Sequence, residues 1–274
     1  INKIQPDIIH LHGAENAYYS STIYQFHNKY PVLVTLQGFL FKIRNLKENY
    51  QSRIRIKHEL KIYRTFRHFG IRTVTMGNVI KEINPKAVLH WHGYGIKINI
   101  TDDLRIREKK FDLVYFARID KSKGIEDFLM TIHSLKKNKK DISALVIGST
   151  SSNYMKKLLN ICLSLDITDN ITWAGFLPSQ TDVHKAASEA KISVLPVQYD
   201  MIPGTIIESM LLRIPVVAYN VGSIHEINDK EEIISLVEKN NIDGLTKSIE
   251  QLLDNVMLQM ERAEKGYKRA EELL

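Results

Sequence analysis

A single cysteine, Cys162, is all the thiol chemistry that the 274 residues hold. A disulfide framework is excluded, and a reducing cytoplasm fits. Cys162 lies in the apolar segment LLNICLSL and reads as a small buried residue. No uninterrupted apolar run is long enough for a membrane span, and no signal peptide is visible. There is no G-x-S-x-G elbow for a hydrolase nucleophile and no G-x4-G-K-[ST] loop. No low-complexity segment interrupts the chain. The histidines do not make a metal set either. His10 and His12 flank Leu11 and point the same way in an extended segment, and His90 and His92 repeat the spacing. No Asp or Glu cluster stands nearby to complete three convergent ligands. His12, at a strand's carboxyl end, is instead a candidate cleft residue. His184 and His225 read as structural or surface residues.

Hydrophobic residues make up 44% and charged residues 25%, the balance of a globular protein with one large domain or two ordinary ones. The formal charge is +7. Between Lys42 and Arg72 lie ten Lys or Arg residues against two acids, Glu48 and Glu59. Such a stretch is either a solvated helix face or a surface for an anionic membrane or a phosphorylated acceptor. Aromatic platforms for single strands are sparse there, which argues against nucleic acid as a partner. The chain does not begin with Met, and INKIQPDIIHLHG reads as the approach to a second or third strand. The N-terminal part of a domain is expected to lie outside this sequence.

Apolar runs alternate with helical periods along the chain. Strands are expected at 7–13, 31–38, 71–76 and 87–93, and helices at 15–27, within 39–69 and over NVIKEIN. Residues 94–110 lack a period and read as a linker, dividing the chain into domains 1–105 and 106–274. Strands at 111–117, 142–148, 170–175, 191–197, 215–220 and 232–237 then alternate with helices at 124–137, 152–165, 179–189, 205–213 and 242–254. Alternation over short loops implies parallel βαβ units. The fold class is therefore α/β, with two Rossmann-like parallel-sheet domains, the first incomplete. Ligands of such sheets sit beyond the carboxyl ends of the strands, and a cleft between two facing domains is the natural site.

The stretch YDMIPGTIIESMLLRIPVVAYNVG (199–222) carries a turn, a helix and a strand. Pro203, Gly204 and Thr205 stand where the helix begins, and Asp200 and Glu208 bracket them. First-turn amides without partners form an anion site, so the stretch reads as an anion cradle or as an ordinary strand–loop–helix unit. Arg118 and Lys123 follow the first strand of the second domain in ARIDKSKG. A guanidinium and an ammonium there suit a diphosphate; otherwise they are exposed charges on a connection.

R-x4-K-G after the strand, then an acid-x7-Glu turn and PVVA, resembles the C-terminal domain of GT4-type retaining glycosyltransferases (glycosyl transferases group 1). The resemblance covers 111–255 well and 7–93 more loosely. It implies a GT-B fold, with two domains facing across a cleft. It implies that Arg118 and Lys123 hold the donor diphosphate and that Glu208 binds the nucleotide ribose. Asp200 takes the place of the family's first Glu, toward the donor sugar. The amides of Gly204, Thr205 and Ile206, beside Pro203, would line sugar and phosphate, and Phe176 and Leu177 lie where the base-binding loop lies. In VTLQG, Gln37 takes a position where His is frequent, next to Gly38. The expected activity is sugar transfer, with retention, from a UDP-, GDP- or ADP-linked donor to a hydroxyl of a glycan or lipid-linked acceptor. The setting implied is cell-envelope polysaccharide synthesis by a cytoplasmic protein, peripheral at the inner membrane face. No metal or other cofactor is implied. A non-catalytic nucleotide-sugar-binding or scaffolding relative, or a sugar epimerase of the same fold, is the alternative.

Overall fold

Residues 4–43, 50–96, 108–138 and 141–274 are described by the structure, a computed structural model. The chain divides into two compact units, Ile1–Tyr94 and Gly95–Leu274. The boundary expected between 105 and 106, and most of the expected 94–110 linker, lie outside the described residues.

In the first unit, β1 (Ile9–His12), β2 (Val32–Thr35), β3 (His68–Ile71) and β4 (Val88–Trp91) form a parallel sheet in the order β1-β2-β3-β4. Neighbours in register share a face. One face presents Leu11, Val32, Val34, Phe69 and Ile71, all buried. The other presents His10, His12, Thr35, His68, Gly70 and His90. Leu33 and Val88 share that second face, so one side of the sheet is apolar and the other mixed. Expected helix 15–27 is a short α1 (Ala17–Ser20) continued by a 3-10 segment, Ser21–Gln25. The stretch 39–69 holds a 3-10 turn, Leu40–Lys42, and α2 (Tyr50–Thr65).

The strand expected at 71–76 lies earlier, and Val74 already opens α3 (Val74–Ile83). Thr73 is the reason. Its hydroxyl accepts from the Met76 amide at 3.1 Å, so a β-branched run that reads as strand is a capped helix start.

The second unit follows the expected alternation. Its strands are β5 (Phe111–Phe116), β6 (Ala144–Ile147), β7 (Ile171–Gly175), β8 (Ala190–Leu195), β9 (Val216–Tyr219) and β10 (Ser235–Val237). Its helices are α4 (Ile125–Lys137), α5 (Ser152–Ser164), α6 (Gln180–Ala187), α7 (Gly204–Leu211), α8 (Ile242–Asp254) and α9 (Val256–Leu273). Ser151, Ser179, Asn241 and Asn255 cap α5, α6, α8 and α9 with side-chain oxygens. Both faces of this sheet are covered. Leu113, Tyr115, Val146 and Val194 pack with α4, α5 and α8, while Val114, Phe116, Leu145 and Ile147 pack on the side of α6.

The strand order is β10-β9-β8-β5-β6-β7, all parallel. From β5 the chain moves to β6 on one side, and from β8 to β9 on the other. The loops after β5 and β8 therefore part at the centre of the sheet, where doubly wound sheets leave a ligand crevice.

Helix α9 lies beyond the elements expected. It buries only Gly266 and Ala270, so its apolar pattern is faint. A side chain at Gly266 would meet Met210 of α7 at 3.4 Å, and Arg213 lies 3.6 Å from the Tyr267 ring. The small residues let α9 back the helix that carries Glu208.

Candidate functional site

Two glycines bring the site loops together. Gly124 has φ 77°, and a Cβ there would lie 1.8 Å from the Pro196 carbonyl oxygen. Gly222 has φ 58°, and a Cβ there would lie 1.8 Å from the carbonyl oxygen of Asp200. Only glycine takes both the left-handed conformation and the close approach without strain. The loop after β5 then touches the loop after β8, with the Gln198 amide donating to the Ser122 carbonyl at 2.9 Å. Asp127 of α4 ties the same loop down, accepting from Gln198 Nε2 at 2.7 Å and from the Tyr219 hydroxyl at 2.8 Å.

Against this frame Lys123 Nζ lies 2.6 Å from Asp200 Oδ2, both side chains about three-quarters buried. Asp200 Oδ1 accepts from the Met201 amide at 2.9 Å. Arg118 is 70% exposed and its Nε donates to Asp120 Oδ2 at 2.6 Å. Asp120 also caps the turn leading to Lys123, accepting from the Lys123 amide at 3.2 Å and from Ser122 Oγ at 2.5 Å. Partial burial alone would raise its pKa, but these hydrogen bonds and the Arg118 charge outweigh it and hold the carboxyl below its usual range. Arg118, Asp120, Lys121, Ser149, Ser151 and Tyr154 line an open pocket of about 440 Å³, which neither Lys123 nor Asp200 lines.

Helix α7 starts at Gly204 behind Pro203, and no side chain caps it. The Ile206 amide donates to the Pro203 carbonyl at 3.0 Å, and its side chain is fully buried. That departs from the expectation that Ile206 lines the ligand through its amide. Gly204 and Thr205 remain as first-turn amides with no partner inside the helix. Glu208 sits one turn on. Its Oε1 accepts from Gln180 Nε2 at 2.9 Å, and its Oε2 lies 3.9 Å from His184 Nε2. Gln180 and His184 are neighbours on α6, with 3.1 Å between their side-chain nitrogens. His184 is buried in this cluster.

The remaining expected residues fall elsewhere. Phe176 follows Gly175 with 72% of its surface exposed, while Leu177 packs against the apolar cluster that includes Leu145 and Ala187. His12, Gln37 and Gly38 belong to the first unit. The His12 ring lies 3.9 Å from that of His10. Gln37 Oε1 accepts from Arg72 Nη2 at 3.3 Å. The Gly38 amide donates to Glu15 Oε1 at 3.0 Å and its carbonyl accepts from the Tyr63 hydroxyl at 3.3 Å. Fully buried Glu59 accepts from the Leu40 and Phe41 amides at 2.9 and 3.2 Å, fixing the loop after β2.

Within the basic stretch, Arg53, Arg55, Lys57, Lys61, Arg64 and Arg67 are exposed, while Arg44, Lys47 and Glu48 lie outside the described residues. Among the described residues no helix is long and apolar enough to cross a membrane, and no group of three His, Cys, Asp or Glu could hold a metal. Cys162 is buried, which pushes its thiol up to about 11.

Sequence reasoning passed over Asp120, Gly222 and Gln180, and read His184 as a structural or surface residue. The i, i+4 spacing of Gln180 and His184 in QTDVH was a visible sign of one helix face. Nothing local showed that this face meets Glu208.

The protein family described as glycosyl transferases group 1 matches residues 97–269. Among curated proteins, an uncharacterized glycosyltransferase of Haemophilus influenzae is 28% identical over 151 residues, covering 55% of this chain and 41% of that protein. An alpha-D-kanosaminyltransferase of Streptomyces kanamyceticus is 24% identical over 153 residues, covering 56% of this chain and 39% of that one. The chain thus spans about two-fifths of these relatives. Among solved structures, sucrose-phosphate synthase from Thermosynechococcus elongatus has a TM-score of 0.82 at 17% identity, over 99% of this chain and 70% of that one. Anabaena HepE in complex with UDP and glucose has a TM-score of 0.79 at 14% identity, over 99% and 75%. These likenesses show the fold, which is GT-B.

Proposed function

We propose, for a chain that belongs to the glycosyl transferases group 1 family, that it transfers a sugar from a nucleotide-sugar donor to an acceptor hydroxyl with retention at the anomeric carbon. One observation carries the reading: Lys123 and Asp200 meet at 2.6 Å at the switch point of the sheet, beside a helix start that no side chain caps. Cation and first-turn amides form a cradle for a diphosphate, and a carboxylate within reach of its oxygens suits sugar hydroxyls.

In this reading Lys123, Arg118 and the amides of Gly204 and Thr205 stabilise the charge that builds on the leaving diphosphate. Glu208, held by Gln180, accepts from the ribose hydroxyls. Asp200 orients the donor sugar as positive charge spreads over its ring. Phe176 is exposed where a base can rest on it. The departing phosphate takes the acceptor proton on the same face of the sugar, so no strong general base is required. The fixed cations serve where a metal otherwise would, and the enzyme is proposed to need none. The HepE structures hold UDP and UDP-glucose, which favours UDP as the nucleotide here. The proposed acceptor is a glycan or lipid-linked glycan of envelope synthesis, and exposed basic residues of α2 give it a route to an anionic membrane surface.

Isothermal titration with UDP, GDP and ADP tests the donor reading, and absence of binding to all three overturns it. Hydrolysis or transfer from a UDP-sugar, unchanged by EDTA, separates an enzyme from a scaffold. The anomeric configuration of the product, read by NMR, tests retention.

A further inference from the structure

The first unit has a partly polar sheet face that the donor reading leaves unused. Registers and alternation place His10 and His12, Thr35, Gly70, and His90 and His92 on it, with Gln37 and Arg72 beyond the strand ends. Contacts agree. His10 Nε2 is hydrogen-bonded to Thr35 Oγ1, and His68 Nδ1 lies 3.0 Å from His90 Nε2. Gly70 packs closely between its neighbours, since a Cβ there would meet Thr35 Oγ1 at 3.0 Å and His92 Cδ2 at 3.2 Å.

Arg72 Nε and His92 Nε2 are both buried, and among the described residues neither has a hydrogen-bond partner. A buried donor left unsatisfied costs about 1–3 kcal/mol, more for a charged group, so Arg72 Nε calls for an acceptor; His92 Nδ1 donates to the Gly93 carbonyl at 3.1 Å, and its Nε2 can donate as well only in the imidazolium form. Arg72 is held in place on both sides, with Nη2 on Gln37 Oε1 at 3.3 Å and the guanidinium carbon 4.6 Å from the Tyr94 ring centroid. None of the strand residues on this face is acidic. The Glu15 carboxylate is engaged by the Gly38 amide at 3.0 Å. Burial, and then His12 and His92 close by, keeps His10 below its usual pKa.

We propose that the carboxyl end of the first unit's sheet is a second anion site, in which Arg72 and His92, flanked by His12 and Gln37, bind a phosphate group. A guanidinium fork matches phosphate oxygens, and His92 Nε2 in its imidazolium form adds a second donor. Under the transfer reading that phosphate belongs either to an acceptor or to the donor. The binding itself rests on the first unit alone.

The test is an NMR titration of the full chain with inorganic phosphate, following the histidine ring signals. Saturable shifts at His10, His12 and His92 are expected. Arg72→Gln should weaken them about 10-fold or more, because a charge-assisted contact is lost, and Lys123→Ala should leave them within about 2-fold. Shifts that fail to saturate, or that are unchanged in both Arg72→Gln and His92→Asn, mean an adventitious ion only and overturn the site. If Arg72→Gln does not fold, His92→Asn alone decides it, with at least about 3-fold weaker binding expected. Calorimetry with UDP identifies the source. An Arg72→Gln loss for UDP as large as for phosphate assigns the site to the donor phosphates, and an unchanged UDP affinity assigns it to an acceptor phosphate. No UDP binding by the unaltered chain would sink the transfer reading and leave the anion site standing.

Discussion

Lys123 Nζ and Asp200 Oδ2 stand 2.6 Å apart although 77 residues separate them in the chain. In the transfer reading, the carboxylate occupies the place at the ammonium that a donor phosphate would take. Binding a diphosphate therefore requires Lys123 to share or exchange its partner, and the two residues should respond differently to substitution.

Lys123→Ala should weaken UDP binding by about 10-fold to 100-fold, the scale of one hydrogen bond to a charged group. Asp200→Asn removes the competing charge with little change of shape. It should leave UDP affinity equal or higher while cutting turnover about 10²-fold through misplacement of the sugar. Calorimetry and initial rates separate the two effects, and unchanged turnover in Asp200→Asn would remove that residue from the sugar site.

Glu208→Ala should cost about 10-fold in nucleotide affinity, since ribose hydroxyls lose a charged acceptor. Gln180→Ala leaves the carboxylate but frees its position, so its loss should be smaller, about 3-fold. Equal affinities for UDP and a 2′,3′-dideoxy analogue in the unaltered protein would show that Glu208 does not read the ribose.

Gly222→Ala should destabilise the fold by at least ~2 kcal/mol, combining left-handed strain with a Cβ 1.8 Å from the Asp200 carbonyl. Because the displaced group is the Asp200 loop, activity should fall further than the unfolded fraction accounts for. Urea melts and rates on the folded protein measure both.

Burial drives Glu59 up to about 7, against hydrogen bonds from Leu40, Phe41 and Tyr63 that favour its ionised form. Its folded pKa exceeds the unfolded value, so its contribution is fully present below about pH 4.5 and is lost as pH rises through about 7. The loss amounts to roughly 3 kcal/mol. Glu59→Gln, which cannot ionise, should flatten the fall of unfolding free energy between these pH values. A slope identical to that of the unaltered protein would place the titration on another group.

Much of the second unit was legible because its signals are local. FDLVYFA, ISALVIG and KISVLPV are apolar runs closed by turns, and a parallel strand covered on both faces must read that way. ARIDKSKG and the 199–222 stretch announced the cations, carboxylates and helix start that make up the candidate site. Where local signals conflicted, they misled. IRTVTM has the β-branched content of a strand, yet Thr73 uses its hydroxyl to begin a helix, and α9 shows little apolar pattern because it packs through Gly266 and Ala270.

The sequence by itself determined the α/β class, the repeating units and the residue types available for a diphosphate, since periodicity and turn chemistry act over a few residues. Only the tertiary structure decided which of them meet. The order β8-β5 at the sheet centre puts Lys123 against Asp200, and two glycines too close to carbonyls for any Cβ hold them there. Helix packing turns Gln180 and His184 toward Glu208, and strand register gathers histidines and Gly70 on one face of the first sheet. Such meetings depend on strand order and register, which no short window of sequence encodes.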